Sequence, residues 1–326
     1  MKTLALFNNK GGIGKTSLAY HLGFMFAELG HRVVLADLDP QADLSSMCAT
    51  EDRLEAIWDL KPRPTIYGSI DRLRRGVGDV EQLALEPVTR NIVLVPGDLQ
   101  LSEFEDDLSQ QWPECLDRDE RAFRVTTSLH RVVADVGKRS GAEIAILDVG
   151  PDFGALNRAA LIAADYVLVP VAPDLFSMQG LENVGPRLKV WRKQWGDRLG
   201  RAPELDFDLP PGTMASIGYV VARHAVLAGG AGKASQRWID RMPDVYRRSF
   251  DEPEVEDLDV TSDELCLGQL RDYRSVMSMS QEAKKPMFLL KPADGAIGGH
   301  QGAVRQAYND FKHLAEKIVE AMGGLQ

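Results

Sequence analysis

The segment Asn8-Asn9-Lys10-Gly11-Gly12-Ile13-Gly14-Lys15-Thr16-Ser17 constrains this chain more than any other stretch of its length. It follows a short apolar run, residues 4–8. It precedes Leu18, Leu22, Met25, Phe26 and Leu29, which recur at helical spacing up to Gly30, a residue suited to end a helix. A glycine-rich turn between a strand and a helix is the setting in which backbone N–H groups close around phosphate oxygens. Glycines lack the Cβ that would obstruct the inward turn, and the following helix adds the positive end of its dipole. Gly11, Gly12, Ile13, Gly14, Lys15, Thr16 and Ser17 are therefore the candidate cradle. In such a cradle Lys15 pairs with the β- and γ-phosphates and the Thr16 hydroxyl completes a Mg²⁺ shell, so ATP and Mg²⁺ are the expected ligands. A turn with no ligand would have no packing use for Gly-Lys-Thr. The loop departs from the common Gly-x-x-x-x-Gly-Lys-Ser/Thr pattern, because Asn9 holds the first glycine position and a second lysine, Lys10, follows it.

Residues 32–37 read as a second strand, β-branched and apolar on both faces as a central parallel strand must be. Similar runs follow at 91–96, 143–148, 166–171 and 216–222, and helical patterns such as 121–138 and 155–163 separate most of them. Five or more strands with intervening helices predict an α/β fold, a doubly wound, mostly parallel sheet with helices on both faces. With 326 residues, no internal repeat and no abrupt change in composition, a single domain over 1–326 is expected.

Composition narrows the function classes. Hydrophobic residues make up 44% and charged residues 26%, which supplies a packed core and excludes wholesale disorder. No stretch approaches the roughly 18 consecutive apolar residues of a membrane helix. The first residues have no small-residue cleavage site and read as a strand rather than a signal peptide. Cys48, Cys115 and Cys266 are widely spaced and odd in number, giving neither a disulfide framework nor a metal cluster, so a reducing cytoplasm is expected. His21, His31, His130, His224, His300 and His313 share no ligand spacing with one another or with the cysteines, and read as structural or surface residues. A net charge of −10 excludes a surface coated in base, so any nucleic-acid contact must be a local patch. Residues 251–265 carry eight acids in fifteen residues and no base, which reads as a solvated surface loop, with a regulatory acidic arm as the sharper alternative.

Residues 10–16, Lys-Gly-Gly-Ile-Gly-Lys-Thr, resemble the deviant Walker A loop of the ParA/MinD superfamily of partition and positioning ATPases. Three more motifs agree in order. Residues 35–43, containing Asp37-Leu38-Asp39-Pro40-Gln41, look like the family's D-x-D-P-Q segment; residues 144–148 resemble its Walker B strand; and residues 163–170 resemble the strand that follows. Residues 176–181 sit where ParA proteins carry a similar helix start. The resemblance covers about residues 1–185 and returns weakly from 216 onward. The chain departs from the family at Gly150-Pro151, where two prolines are usual and where a more flexible switch is expected. It departs again at Ala222-Arg223, where an Asn or Thr usually stands near the adenine, and over about 194–285, a longer region with no readable motif. Because the chain starts on the strand before the loop, the DNA-reading extension of some plasmid ParA proteins is not expected.

The resemblance implies site roles. Asp148 orients Mg²⁺ water and Asp39 positions the attacking water, while Asp37 braces the loop and the metal shell, a division between the two that could also be reversed. Asp43 is left as an acid in a helix first turn. Lys10 is implied to reach the phosphates of a second subunit, as an arginine finger does, which makes ATP the link in a homodimer; a role in cis or a solvated lysine is the alternative. The whole reading is a dimerising ATPase that partitions or positions a cargo such as a plasmid, chromosome or protein assembly with an activating partner, in the cytoplasm or on the nucleoid.

Two other readings compete. A MinD-like membrane switch calls for a basic amphipathic tail, whereas residues 306–325 mix acids with bases and read as a last core-packing helix, so no membrane partner is expected. A metabolic ligase of the same superfamily would hide its substrate pocket in 194–285, and a reductase would need thiolates where this chain has none. For DNA, a helix starting at Pro186 would carry an apolar stripe of Leu188, Trp191, Trp195 and Leu199. Lys189, Arg192 and Lys193 share another side of it, with Arg187, Arg198 and Arg201 elsewhere. That trio is the candidate contact to non-specific DNA, an ordinary solvated face being the alternative.

Overall fold

Alternation along the first strand, β1 (Lys2–Leu6), separates two layers of core: Leu4 and Leu6 face one, Ala5 and the following Phe7 the other. The computed structural model describes residues 1–326 except 225–232, 256–257, 274 and 326, and of residues 223–224 and 233–234 only the backbone. The remaining strands are β2 (Val33–Asp37), β3 (Glu86–Thr89), β4 (Ile92–Val95), β5 (Ile144–Asp148), β6 (Tyr166–Val171), β7 (Ala215–His224) and β8 (Cys266–Arg271). They form one sheet in the order β3-β4-β2-β5-β1-β6-β7-β8, parallel throughout except for the β3–β4 pair at one edge. This is the doubly wound sheet that the alternating apolar runs predict.

The helices divide between the faces. In chain order they are α1 (Lys15–Glu28), α2 (Asp43–Cys48), α3 (Glu51–Asp59), α4 (Ile66–Arg74), α5 (Phe104–Glu114), α6 (Glu120–Thr126), α7 (Ser128–Ser140), α8 (Ala155–Ile162), α9 (Leu175–Leu199), α10 (Lys233–Ile239), α11 (Met242–Phe250), α12 (Ser275–Ala283) and α13 (Gly299–Ala321). One face carries α1 and α13 over Leu4, Leu6 and Leu35; the other carries α4 to α9 and α11 over Ala5, Val34 and Ala36. The final helix buries Val304, Ala307, Phe311, Leu314, Ala315 and Ile318, so its apolar face is spent on the core. Among the described residues, no helix is long and apolar enough to cross a membrane.

Three expectations need correcting. The helical pattern at 121–138 is two helices, α6 and α7, because Thr127 and Ser128 turn their hydroxyls back onto the carbonyls of Phe123 (2.7 Å) and Val125 (2.9 Å). Pro186 does not start a helix. It lies inside α9, which is capped twelve residues earlier when Asp174 Oδ1 accepts the Ser177 N–H at 3.0 Å. The hydrogen bond that Pro186 cannot make leaves the carbonyl of Glu182, and both residues are exposed, so water can replace it. The acidic segment, finally, is not wholly a solvated loop. Asp263 is buried and pairs with Arg247 at 2.6 Å, while the Tyr219 hydroxyl donates to it at 2.9 Å, so this carboxylate ties α11 to the sheet.

Candidate functional site

Strands β2, β5 and β1 end level with one another: Asp37 lies opposite Asp148, and Asp148 opposite Leu6. The loop leaves β1 at that level, at the carboxyl ends of the strands where open α/β sheets bind ligands. Asn8 folds it, donating through Nδ2 to the Pro170 carbonyl (2.8 Å) and accepting the Lys10 N–H on Oδ1 (3.1 Å). Gly14 then takes φ 88°, a left-handed conformation that favours glycine, and α1 begins at Lys15 with no side chain capping it. The N–H groups of that first turn are left for a ligand.

A cavity of about 570 Å³ opens over this helix end, lined among others by Gly11, Lys15, Thr16, Asp39, Pro151 and Lys284. Lys15 is only 7% exposed, and burial lowers its pKa against the pull of Asp148, Asp39 and Asp152. Asp39 stands half-buried at the mouth, its Oδ1 accepting the Gln41 N–H at 3.0 Å. Asp37 and Asp148 are fully buried. Asp37 Oδ2 accepts both the Ser45 N–H (2.7 Å) and the Ser45 hydroxyl (2.6 Å), but its Oδ1 and both oxygens of Asp148 have no hydrogen-bond partner among the described residues. Burial pushes the Asp37 carboxyl up to about 7 and that of Asp148 well above the usual range; the neighbouring acids add to both shifts. Hard carboxylate oxygens, buried and unsatisfied beside a phosphate cradle, fit a hydrated Mg²⁺, which binds through one or two carboxylates and keeps its waters.

Gly150 has a physical consequence where a second proline would have none: its N–H, absent in proline, donates to Asn157 Oδ1 at 3.0 Å. Asn157 also donates to the Asp152 carbonyl at 3.1 Å and so ties the loop after β5. Lys10 is turned toward Asp174, at 2.5 Å, rather than into the cavity. Ala222 borders a small cavity of about 50 Å³ with Ile13, Ser17, Tyr273 and Met277, while the Arg223 side chain lies outside the described residues.

The structure does not gather the trio on α9 into one free patch. Lys189 pairs with Asp251 at 2.6 Å. Arg192 donates to the carbonyls of Thr213 (2.7 Å) and Met214 (2.9 Å). Lys193 alone is exposed and without a partner among the described residues. Sequence reasoning also missed Ser45, Asn157, Asp174 and Lys284. Lys284 reaches the carbonyls of Ser46 (2.5 Å) and Ala49 (3.0 Å) at the end of α2, from a stretch with no motif to signal it.

A family model described as an AAA domain matches residues 1–200, well over half of the chain. The chain belongs to this AAA-domain family. Among its relatives, a Rhizobium rhizogenes protein provisionally named replication protein A is 32% identical over 188 residues, 56% of this chain and 43% of that one. The chromosome partitioning protein ParA of Caulobacter vibrioides is 29% identical over 199 residues, 61% of this chain and 66% of that one. The AAA-domain chain thus spans less than half of the first relative's length and under two thirds of the second's. An ATP complex of a Cyanothece McdA variant matches its fold at a TM-score of 0.64 and 18% identity, covering 100% of this chain and 98% of that one. The ParA-like character read from the ordered motifs therefore holds for this AAA-domain protein, as does the fold.

Proposed function

We propose that this chain is a Mg·ATP-dependent ATPase that dimerises around its nucleotides and partitions or positions a cargo, with non-specific DNA as its support and a partner protein as its activator. The observation that carries the reading is the set of buried, unpartnered oxygens of Asp37 and Asp148 level with the loop that ends in Lys15 and Thr16. The ATP complex of the McdA variant and the name of the Caulobacter relative support it.

Backbone N–H groups of residues 11–16 hold the phosphates, and Lys15 supplies a point charge to the β/γ bridge. The Thr16 hydroxyl and Asp148, braced by Asp37, would hold Mg²⁺. When bound, Mg²⁺ neutralises charge on the phosphates. Asp39 orients the attacking water through Oδ2, since Oδ1 already accepts the Gln41 N–H. Lys10 of a second subunit stabilises charge on the transferring phosphoryl, so loss of that phosphoryl removes what both subunits share.

Light scattering coupled to size exclusion, with and without Mg·ATP, tests this. Asp39→Ala should bind ATP and persist as a dimer, whereas Lys10→Ala should bind ATP, stay monomeric and turn over slowly. A monomeric Asp39→Ala protein at saturating Mg·ATP would overturn the dimerising mechanism.

A further inference from the structure

Lys10 already has an anion. Its Nζ lies 2.5 Å from Asp174 Oδ2, and the two side chains are 27% and 40% exposed, so solvent and other charges can reach both. The same carboxyl caps α9: Oδ1 accepts the Ser177 N–H at 3.0 Å and Oδ2 the Ser177 hydroxyl at 3.4 Å. Partial burial works against its charge, but the hydrogen bonds from Lys10 and Ser177 outweigh that and hold the carboxyl below its usual range.

The first turns of α9 are also fixed to the loop. At Gly180 a Cβ would come within 2.6 Å of Asn8 Oδ1 and 2.8 Å of Asn9 Oδ1, so only glycine lets the helix approach this closely. Asn8 in turn holds the Lys10 backbone N–H. Lys10 and its acceptor therefore belong to one packed unit, and the side chain can change partner without the backbone moving.

We propose that Asp174 is a positioning residue for Lys10, a latch that keeps the lysine in cis within a lone subunit and yields it to the nucleotide phosphates of a second one. This rests on the reading above that Lys10 acts in trans. A lysine at ion-pair distance from a carboxylate is not available to a phosphate elsewhere, so every dimer must open two latches. A polyphosphate with bound metal still offers more negative charge than one carboxylate, which makes the exchange favourable only when the partner is loaded. A half-exposed pair of this kind biases its equilibrium by up to about fivefold, so two of them bias dimerisation by up to roughly 25-fold.

The test is Asp174→Asn, which keeps an oxygen for the α9 cap and removes the charge. Analytical ultracentrifugation of a dilution series at saturating Mg·ATP should show the variant half-dimeric at a concentration lower by about 2- to 25-fold. An unchanged or higher midpoint sinks the latch. In the monomeric Lys10→Ala background the same substitution should restore no dimer; a dimer regained there would mean that Asp174 acts on the interface without Lys10, and would also overturn the proposal. Asp174→Ser, another neutral cap, repeats the measurement if thermal melting shows the Asn variant misfolded. A Lys10→Ala protein that dimerises like the parent would defeat the trans reading itself, an outcome separate from any result at Asp174.

Discussion

Asp37 and Asp148 face each other in register at the ends of β2 and β5, and three of their four carboxylate oxygens have no hydrogen-bond partner among the described residues. Ser45 and the Asp39 backbone relieve Asp37, and the Thr16 hydroxyl and the Lys15 charge relieve Asp148, but burial outweighs them on both carboxyls. Two buried acids this close oppose each other's ionisation and cost stability in the free chain. Such an arrangement makes physical sense as a place kept for a cation.

Asp148→Asn should separate that cost from its use. Without nucleotide, the variant should melt at the same or a higher temperature than the parent, because a buried, unpartnered carboxyl is replaced by a neutral amide of equal size. With ATP present, adding Mg²⁺ should raise the melting temperature of the parent and leave the variant unmoved. Thermal unfolding with ATP alone and with Mg·ATP reads both effects, and a variant that still responds to Mg²⁺ would remove Asp148 from the metal shell.

How much of this was readable follows from how local each signal is. The loop and strands β1, β2, β5 and β6 are runs of adjacent residues whose pattern carries their meaning. Strand β8, Cys-Leu-Gly-Gln-Leu-Arg, has no continuous apolar run, so its place beside β7 depends on tertiary pairing that sequence does not display. Asp174 and Asn157 are ordinary polar residues, and their roles exist only because α9 and α8 bring them to the loops. Asp263 was hidden by its acidic neighbours, since charge density says nothing about which single carboxylate turns inward. The α9 trio shows the converse limit: helical spacing placed Arg192 on a face, but the carbonyls that claim it come from residues 213 and 214.

Asp263 gives a prediction about the region without motifs. Its side chain is fully buried, Arg247 is 11% exposed, and the pair is supported by the Tyr219 hydroxyl. Asp263→Ala leaves the Tyr219 phenol without this acceptor and the Arg247 guanidinium with the Pro253 carbonyl but no counter-charge, and removal of one partner from a buried pair costs about 3–5 kcal/mol. The urea midpoint should fall accordingly. A loss under about 1 kcal/mol would mean that water replaces the carboxylate and that the pair does not fasten α11 to the sheet.

His21 predicts a pH dependence. Its ring is fully buried, with Nδ1 2.7 Å from the Ser17 carbonyl and Nε2 accepting the Met287 N–H at 3.1 Å, so the neutral form satisfies both contacts. Burial lowers its pKa from 6.5 to about 4. Between those values the unfolded chain binds a proton that the native chain refuses. Stability from this group is therefore complete above about pH 6.5 and falls by roughly 1.4 kcal/mol per pH unit below it, to a total near 3 kcal/mol. His21→Gln should show a shallower fall in urea midpoint from pH 7.5 to pH 5 than the parent. Equal slopes would mean that His21 does not titrate in that window.

The α9 cations can be sorted by what each already holds. Arg192 is a structural residue, so Arg192→Glu should lower the melting temperature, and any loss of DNA binding there would say little about contact. Lys189 and Asp251 are 68% and 66% exposed, a pairing worth at most about 1 kcal/mol and weakened by salt, so phosphate can compete for the lysine. Lys193 has nothing to give up. If this face meets DNA, Lys193→Glu should weaken binding across sequences and reduce the salt slope by about one unit per subunit, with Lys189→Glu doing the same less strongly. Binding should also need Mg·ATP, because a dimer presents the face twice. Fluorescence anisotropy on a random-sequence duplex over a salt series measures all of this. A parent protein that fails to bind at low salt with Mg·ATP, or a Lys193→Glu variant with an unchanged slope, would take α9 out of DNA contact.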